Sequence, residues 1–227
     1  MFAIDFDVFC KELFLNQKTR FRSIFARLQK AYPNAKTQLH HNSPFELLVA
    51  TILSAQCTDK MVNRVAPILF TEMNTPEAFV KASLSKIEKI IRPTGFYHNK
   101  AKNIKNCAQV LLKRYNGIVP HTMEELTLLP GVGRKTANVV LNAAFDLPGM
   151  VVDTHVLRIS KKLGFTQHKD PVKVETDLMK IVPKKVWKDF SLWLIYLGRS
   201  ICVARKPKCE KCFLLDLCLW DQRHKKS

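Results

Sequence analysis

The chain has 227 residues and is 47% hydrophobic, enough to bury one or two substantial cores, while no apolar run reaches the roughly eighteen residues that a membrane-spanning helix needs. Its 37 Lys and Arg against 19 Asp and Glu leave a net charge of +18 and a pI near 9.8. That balance points to a polyanionic partner, with nucleic acid ahead of a membrane surface because no basic amphipathic anchor stands out; a merely solvated Lys-rich surface is the competing explanation.

Taken in order, the chain reads as helices throughout, with no alternating strand pattern. The start, MFAIDFDVFCKELF, carries Asp5, Asp7 and Glu12 and no basic region, so neither a secretory nor a mitochondrial leader is expected and the location expected is cytoplasmic, on the nucleoid if the source is bacterial. Phe21, Ile24, Phe25 and Leu28 predict a helix from Thr19 to about Ala31, before Tyr32-Pro33-Asn34 breaks it. Ser43-Pro44-Phe45-Glu46 is a capped start for a nearly all-apolar helix reaching about Ala55. Gln56 follows it, where Thr58 and Asp59 read as caps of the next helix but a Gln is a poor cap. Thr75-Pro76-Glu77 and Ser85 with Glu88 predict two short helices, Pro93-Thr94-Gly95 breaks the second, and Phe96-Tyr97 sits at a turn. A long helix through Ala101, Ile104, Ala108 and Leu111 ends at Asn116-Gly117.

The run Leu129-Pro-Gly-Val-Gly-Arg-Lys-Thr-Ala-Asn-Val-Val-Leu141 carries the most information. Thr122 with Glu125 opens a short helix bearing Leu126, Leu128 and Leu129 that stops at Pro130; Gly131 and Gly133 bracket Val132 and permit positive φ; Ala137, Val140, Leu141 and Ala144 define a second helix. Helix, Gly-x-Gly hairpin and helix together leave amides and a helix N-terminus bare, a shape that holds a phosphate oxygen without reading a base, although an ordinary turn between core helices has the same pattern. Arg134 and Lys135 fall in the first turn of the second helix, where the helix dipole disfavours cations. Stability alone would place Asp or Glu there. A neighbouring cation and a helix N-terminus both favour a free amine, so Lys135 reads as a nucleophile toward a carbonyl-like carbon.

Further on, Asp153 precedes the helix of Val156, Ile159 and Leu163, as an N-cap whose ionised carboxylate could also face a developing cation. Asp170-Pro171 caps another helix, and residues 184–199 pack the last large one. The tail then places Cys202, Cys209, Cys212 and Cys218 in the spacing C-x6-C-x2-C-x5-C. Clustered cysteines in a cytosolic chain favour metal over disulfides; zinc would more often show two C-x2-C pairs or His ligands, so the single pair favours an iron–sulfur cluster. Folding about the metal would present Arg205, Lys206 and Lys208 to phosphate, a merely solvated basic loop being the competing explanation. Cys10, Cys57 and Cys107 read as core or free thiols.

Together, LPGVGRKTANVVLN, VDTH about a dozen residues later, the cysteine tail and SPFELLVATILSAQCTD resemble endonuclease III of the helix-hairpin-helix DNA glycosylase superfamily, over nearly the whole chain from about Thr19. The resemblance implies an all-α fold of two helical domains with the catalytic cleft between them. One comprises residues 37–147 and contains the hairpin at about 123–145; the other is discontinuous, 16–36 with 148–227, and carries a [4Fe-4S] cluster; residues 1–15 extend beyond the compact relatives. It implies a DNA glycosylase and abasic-site lyase acting on oxidised or ring-damaged pyrimidines in duplex DNA, with Lys135 as nucleophile, Asp153 as essential carboxylate and the four cysteines as cluster ligands. Gln56 matches the residue that fills the gap left by a flipped base, Phe96 stands where relatives often have Leu and wedges the opposite strand, and Leu129, Gly131, Val132, Gly133 and Arg134 form the DNA-holding hairpin. Thr127 departs from relatives with an acidic residue there. A monomer is expected. The alternatives are an adenine-specific mismatch glycosylase of the same superfamily, whose relatives usually lack Lys at position 135, and a non-catalytic iron–sulfur DNA-binding protein.

Overall fold

A long helix, α1 (Phe6–Ala31), opens the described part of the chain; this computed structural model describes residues 6–220, and only the backbone for 6–17. The first five residues of the expected extension, and the Cys10 side chain, lie outside the described residues. The helix begins at Phe6 rather than at Thr19, because its apolar stripe past Phe21 rides on a backbone that no Pro or Gly interrupts from Phe6 onward.

Side-chain caps set most of the remaining boundaries. An oxygen on Ser43, Thr58, Thr75 and Ser83 accepts an N–H from three residues on, opening α2 (Pro44–Leu53), α3 (Asp59–Glu72), α4 (Pro76–Lys81) and α5 (Leu84–Ile91). The start of α5 is therefore two residues earlier than the Ser85 signal suggests: Ser83 takes the Lys86 N–H at 3.2 Å and pairs with the Ser85 hydroxyl, which sits inside the first turn. A single 3₁₀ turn, Arg92–Thr94, leads to Gly95 at φ +69° and into α6 (Tyr97–Tyr115). Thr122 caps α7 (Met123–Thr127), with its hydroxyl 2.7 Å from Glu125 Oε2, and Gly133 precedes α8 (Arg134–Ala144). Asp153 and Asp170 cap α9 (Thr154–Lys162) and α10 (Pro171–Ile181), and a 3₁₀ turn at Lys184–Val186 runs into α11 (Trp187–Ser200). Among the described residues there is no strand and no helix long and apolar enough to cross a membrane.

The chain divides into two units, Lys36–Gly149 and a discontinuous one of Met1–Ala35 with Met150–Ser227. In the continuous unit, α2 is the central element: every residue from Phe45 to Leu53 is buried, with Val62, Leu69, Phe79, Ile87, Ile104, Leu111, Val140 and Leu141 around it. In the discontinuous unit Ile24 and Leu28 of α1 meet Val156, Ile159, Leu178, Phe190 and Leu194, and Phe25 stands edge-on to Phe190 at 5.0 Å. Each such fully buried side chain contributes about 1.5–3 kcal/mol, so the packing of α1 on residues more than a hundred positions later is a large part of that unit's stability.

Candidate active site

The hairpin between α7 and α8 departs from its expected form in three places. Gly131 takes φ +79°, but Gly133 is extended at φ −93°, ψ 174°, so only the first glycine is needed for backbone conformation. Leu128 leaves the helix as its C-cap and is 64% exposed, whereas Leu129 (2%) and Val132 belong to the core. Leu129 and Val132 thus anchor the hairpin, and only their backbone can serve the DNA contact expected of them. Gly131, Gly133, Arg134 and Lys135 are exposed. A Cβ at Gly131 would lie 2.9 Å from Asn103 Cβ of α6, while one at Gly133 would meet nothing within 4 Å, so the second glycine faces open space. The first turn of α8 holds both cations and no acid, and no side chain caps it.

Gln56 and Phe96 are both exposed and both left-handed, at φ +51° and +49°. Non-glycine residues avoid that region, Phe96 exposes 63% of its surface, and neither side chain helps to fill the core. Both belong to the continuous unit. So does Lys100, a residue with no obvious sequence signal except that it shares the inward stripe of Ile104, Ala108 and Leu111; it is buried and donates to Leu53 O and Thr94 O, each at 2.8 Å.

In the other unit, Asp153 is the N-cap of α9: Oδ1 accepts from Val156 N at 2.8 Å. Burial holds the neighbouring His155 imidazole below its ordinary range, an effect that Asp153 partly offsets and Arg158 and Arg199 reinforce. His155 sits against Gly198, where a Cβ would come within 2.7 Å of the imidazole Nδ1.

Cys202, Cys209, Cys212 and Cys218 all line one cavity with Lys162, Pro207, Leu215 and Trp220. Two 3₁₀ turns, Cys209–Lys211 and Leu215–Leu217, bring the last three thiols round, and the Lys162 ammonium lies 3.7 Å from the Trp220 ring centroid. Burial pushes the Cys202 and Cys212 thiols up; Lys162 and Arg158 oppose this at Cys202. Among the described residues, no three His, Cys, Asp or Glu side chains are grouped as a single metal ion would need. Arg205 and Lys206 are exposed on the loop between the first two cysteines, Lys206 at φ +53°, whereas Lys208 turns its ammonium toward Ser200 O at 3.4 Å. Of the other cysteines, Cys107 is core, its thiol pushed up to about 12 by burial, and Cys57 is half-buried.

Residues 49–184 match the model of the HhH-GPD superfamily base excision DNA repair proteins, and residues 202–218 match the iron–sulfur binding domain of endonuclease III. The endonuclease III of Synechocystis sp. is 49% identical, covering 89% of this chain and 93% of its own length, and that of Haemophilus influenzae 46% identical, covering 91% and 98%. A solved structure of a trapped endonuclease III–DNA covalent intermediate superposes with a TM-score of 0.88 at 45% identity, covering 92% of this chain and 98% of that one. The cofactor is a [4Fe-4S] cluster, and the partner is DNA. The chain therefore belongs to the endonuclease III family of the HhH-GPD superfamily, the bifunctional DNA glycosylases and abasic-site lyases of base excision repair.

Proposed function

We propose that this glycosylase removes oxidised or ring-damaged pyrimidines through Lys135. The observation that carries the reading is the first turn of α8, where Arg134 and Lys135 stand exposed at the positive end of a helix dipole, in a turn that contains no acidic residue. Such a placement costs stability and is explained by chemistry. The Lys135 amine bonds to C1′ of the flipped nucleotide as the C1′–N bond to the damaged base breaks, the electron pair leaving with the base. Asp153 accepts the amine's proton or opposes the cationic sugar, a task suited to a carboxylate already kept in place by the Val156 amide. Loss of the ring-oxygen bond gives an iminium at C1′, which acidifies C2′; β-elimination then expels the 3′ phosphate.

Gly131, Gly133 and Arg134 hold the backbone, with Arg205 and Lys206 adding phosphate contacts, while Gln56 fills the gap left by the flipped base and Phe96 wedges the opposite strand. Four thiolates from Cys202, Cys209, Cys212 and Cys218 hold the cluster, a fit supported by their shared cavity and all-sulfur donor set. When bound, the cluster ties the loop that carries Arg205 and Lys206. The enzyme works as a monomer in the cytoplasm, on DNA.

Borohydride trapping on a duplex with one oxidised thymine tests the reading. A covalent adduct is expected, lost in Lys135→Ala; base loss without an adduct would instead make the enzyme a monofunctional glycosylase, and neither on several lesions would remove the substrate assignment.

A further inference from the structure

Two of the exposed left-handed residues of the continuous unit, Gln56 and Phe96, follow closely on carbonyls held by one buried ammonium. Lys100, only 5% exposed, reaches from the second turn of α6 to Leu53 O, the last residue of α2, and to Thr94 O, the end of the 3₁₀ turn. Those carbonyls lie three residues before Gln56 and two before Phe96, and both accept from the same nitrogen, so they are within twice a hydrogen-bond length of each other. The Cys57 N–H, which would continue α2 onto Leu53 O, goes to Ser54 O at 3.1 Å instead, leaving that carbonyl for the lysine. Thr94 is itself buried, and its hydroxyl donates to Ile91 O at 2.8 Å, so the far end of the clamp is fixed. Among the described residues Lys100 has no carboxylate partner in an ion pair. A buried cation is costly to keep, and this one is used on two helix-end carbonyls immediately ahead of two strained exposed side chains.

We propose that Lys100 is a positioning residue that locks the Gln56 and Phe96 turns into one rigid wedge, so that the two side chains enter the duplex together when a nucleotide is flipped. This rests on the reading of Gln56 and Phe96 as the inserted residues. Lys100 touches no reacting atom; it sets the spacing of the two turns, and with it how far open a duplex step the enzyme favours.

The test uses a duplex with 2-aminopurine beside an abasic-site analogue, whose fluorescence rises on unstacking. Lys100→Met, which keeps the length and removes the donors, is expected to lower the fluorescence rise and the specific affinity about tenfold, the scale of a lost charge-assisted hydrogen bond, with affinity for undamaged duplex unchanged. Lys100→Arg is expected to recover part of the signal. Combining Lys100→Met with Gln56→Ala or Phe96→Ala should cost little more than the worse single change, because the lysine acts through those residues. An unchanged signal in Lys100→Met, or losses that multiply in the double variants, overturns the proposal. If Gln56→Ala and Phe96→Ala alone leave the signal intact, it is the insertion reading that fails. Should Lys100→Met not fold, hydrogen exchange on the native protein decides: amides 54–57 and 94–97 opening with a common free energy support the clamp, and independent opening refutes it.

Discussion

Asp153 caps a helix, and the chemical role proposed for it can be lost separately from that structural one. Its Oδ1 caps α9 through Val156 N, and Asn caps a helix about as well as Asp does. Asp153→Asn should therefore keep the melting temperature while reducing base excision about a hundredfold or more, whereas Asp153→Ala should lose about 1 kcal/mol of stability as well. Thermal melts run beside single-turnover excision check this; an equally active Asn variant would leave Asp153 as a cap alone. The hairpin glycines separate in the same way. Gly131→Ala forces a Cβ against Asn103 in left-handed backbone and should cost about 1–3 kcal/mol, seen in urea unfolding. Gly133→Ala meets open space at an extended φ, so folding should be unaffected and duplex affinity should fall, as a backbone kept bare for a phosphate requires.

At the scale of elements, α6 organises the parts of its unit that are proposed to face DNA: Phe96 precedes it, Lys100 gathers the ends of α2 and the 3₁₀ turn, Asn103 backs the hairpin at Gly131, and Lys105 holds Val80 O and Ala82 O behind α4. Cys107 of the same helix carries a pH prediction. Burial raises its thiol from the ordinary 9.0 to about 12, so its contribution to stability is complete below pH 9 and is lost as pH rises from there toward 12. Between about pH 8 and pH 11 the urea midpoint of the wild type should fall further than that of Cys107→Ala. Capped helix starts and the hairpin were readable because they depend on residues three or four apart: Ser43, Thr75, Thr122, Asp153 and Asp170 all cap where their local pattern says. Lys100 was not, because its two partners come from 6 and 47 residues away and nothing near it in sequence announces them. The exposure of Leu128 escaped for a related reason, since α7 ends one residue before it and the helical stripe no longer applies.

For the whole molecule, the net charge of +18 predicts a DNA affinity that falls steeply with salt, each neutralised phosphate adding about −0.9 to the logarithmic slope. Arg205→Ala and Lys206→Ala should each flatten that slope by about one unit on damaged and undamaged duplex alike. Lys208→Ala should change it less, its ammonium being directed to Ser200 O. Replacing Cys209 by Ala should reduce folding and DNA affinity together, followed by iron content and titration of a labelled duplex; a soluble, iron-free and fully active Cys209→Ala protein would defeat the assignment of that ligand.

The discontinuity of one unit has a consequence for synthesis on the ribosome. Residues Lys36–Gly149 contain all the partners of their own core, but α1 finds Phe165, Phe190 and the Leu163 and Leu217 carbonyls that Arg20 bonds only after the chain has grown past them. Throughout translation of the intervening stretch, Phe21, Ile24, Phe25 and Leu28 leave the exit tunnel with nothing to cover them. The nascent protein must carry an apolar helix in waiting until its last third is made, so this helix, rather than any part of the catalytic machinery, is where a chaperone would hold the unfinished enzyme.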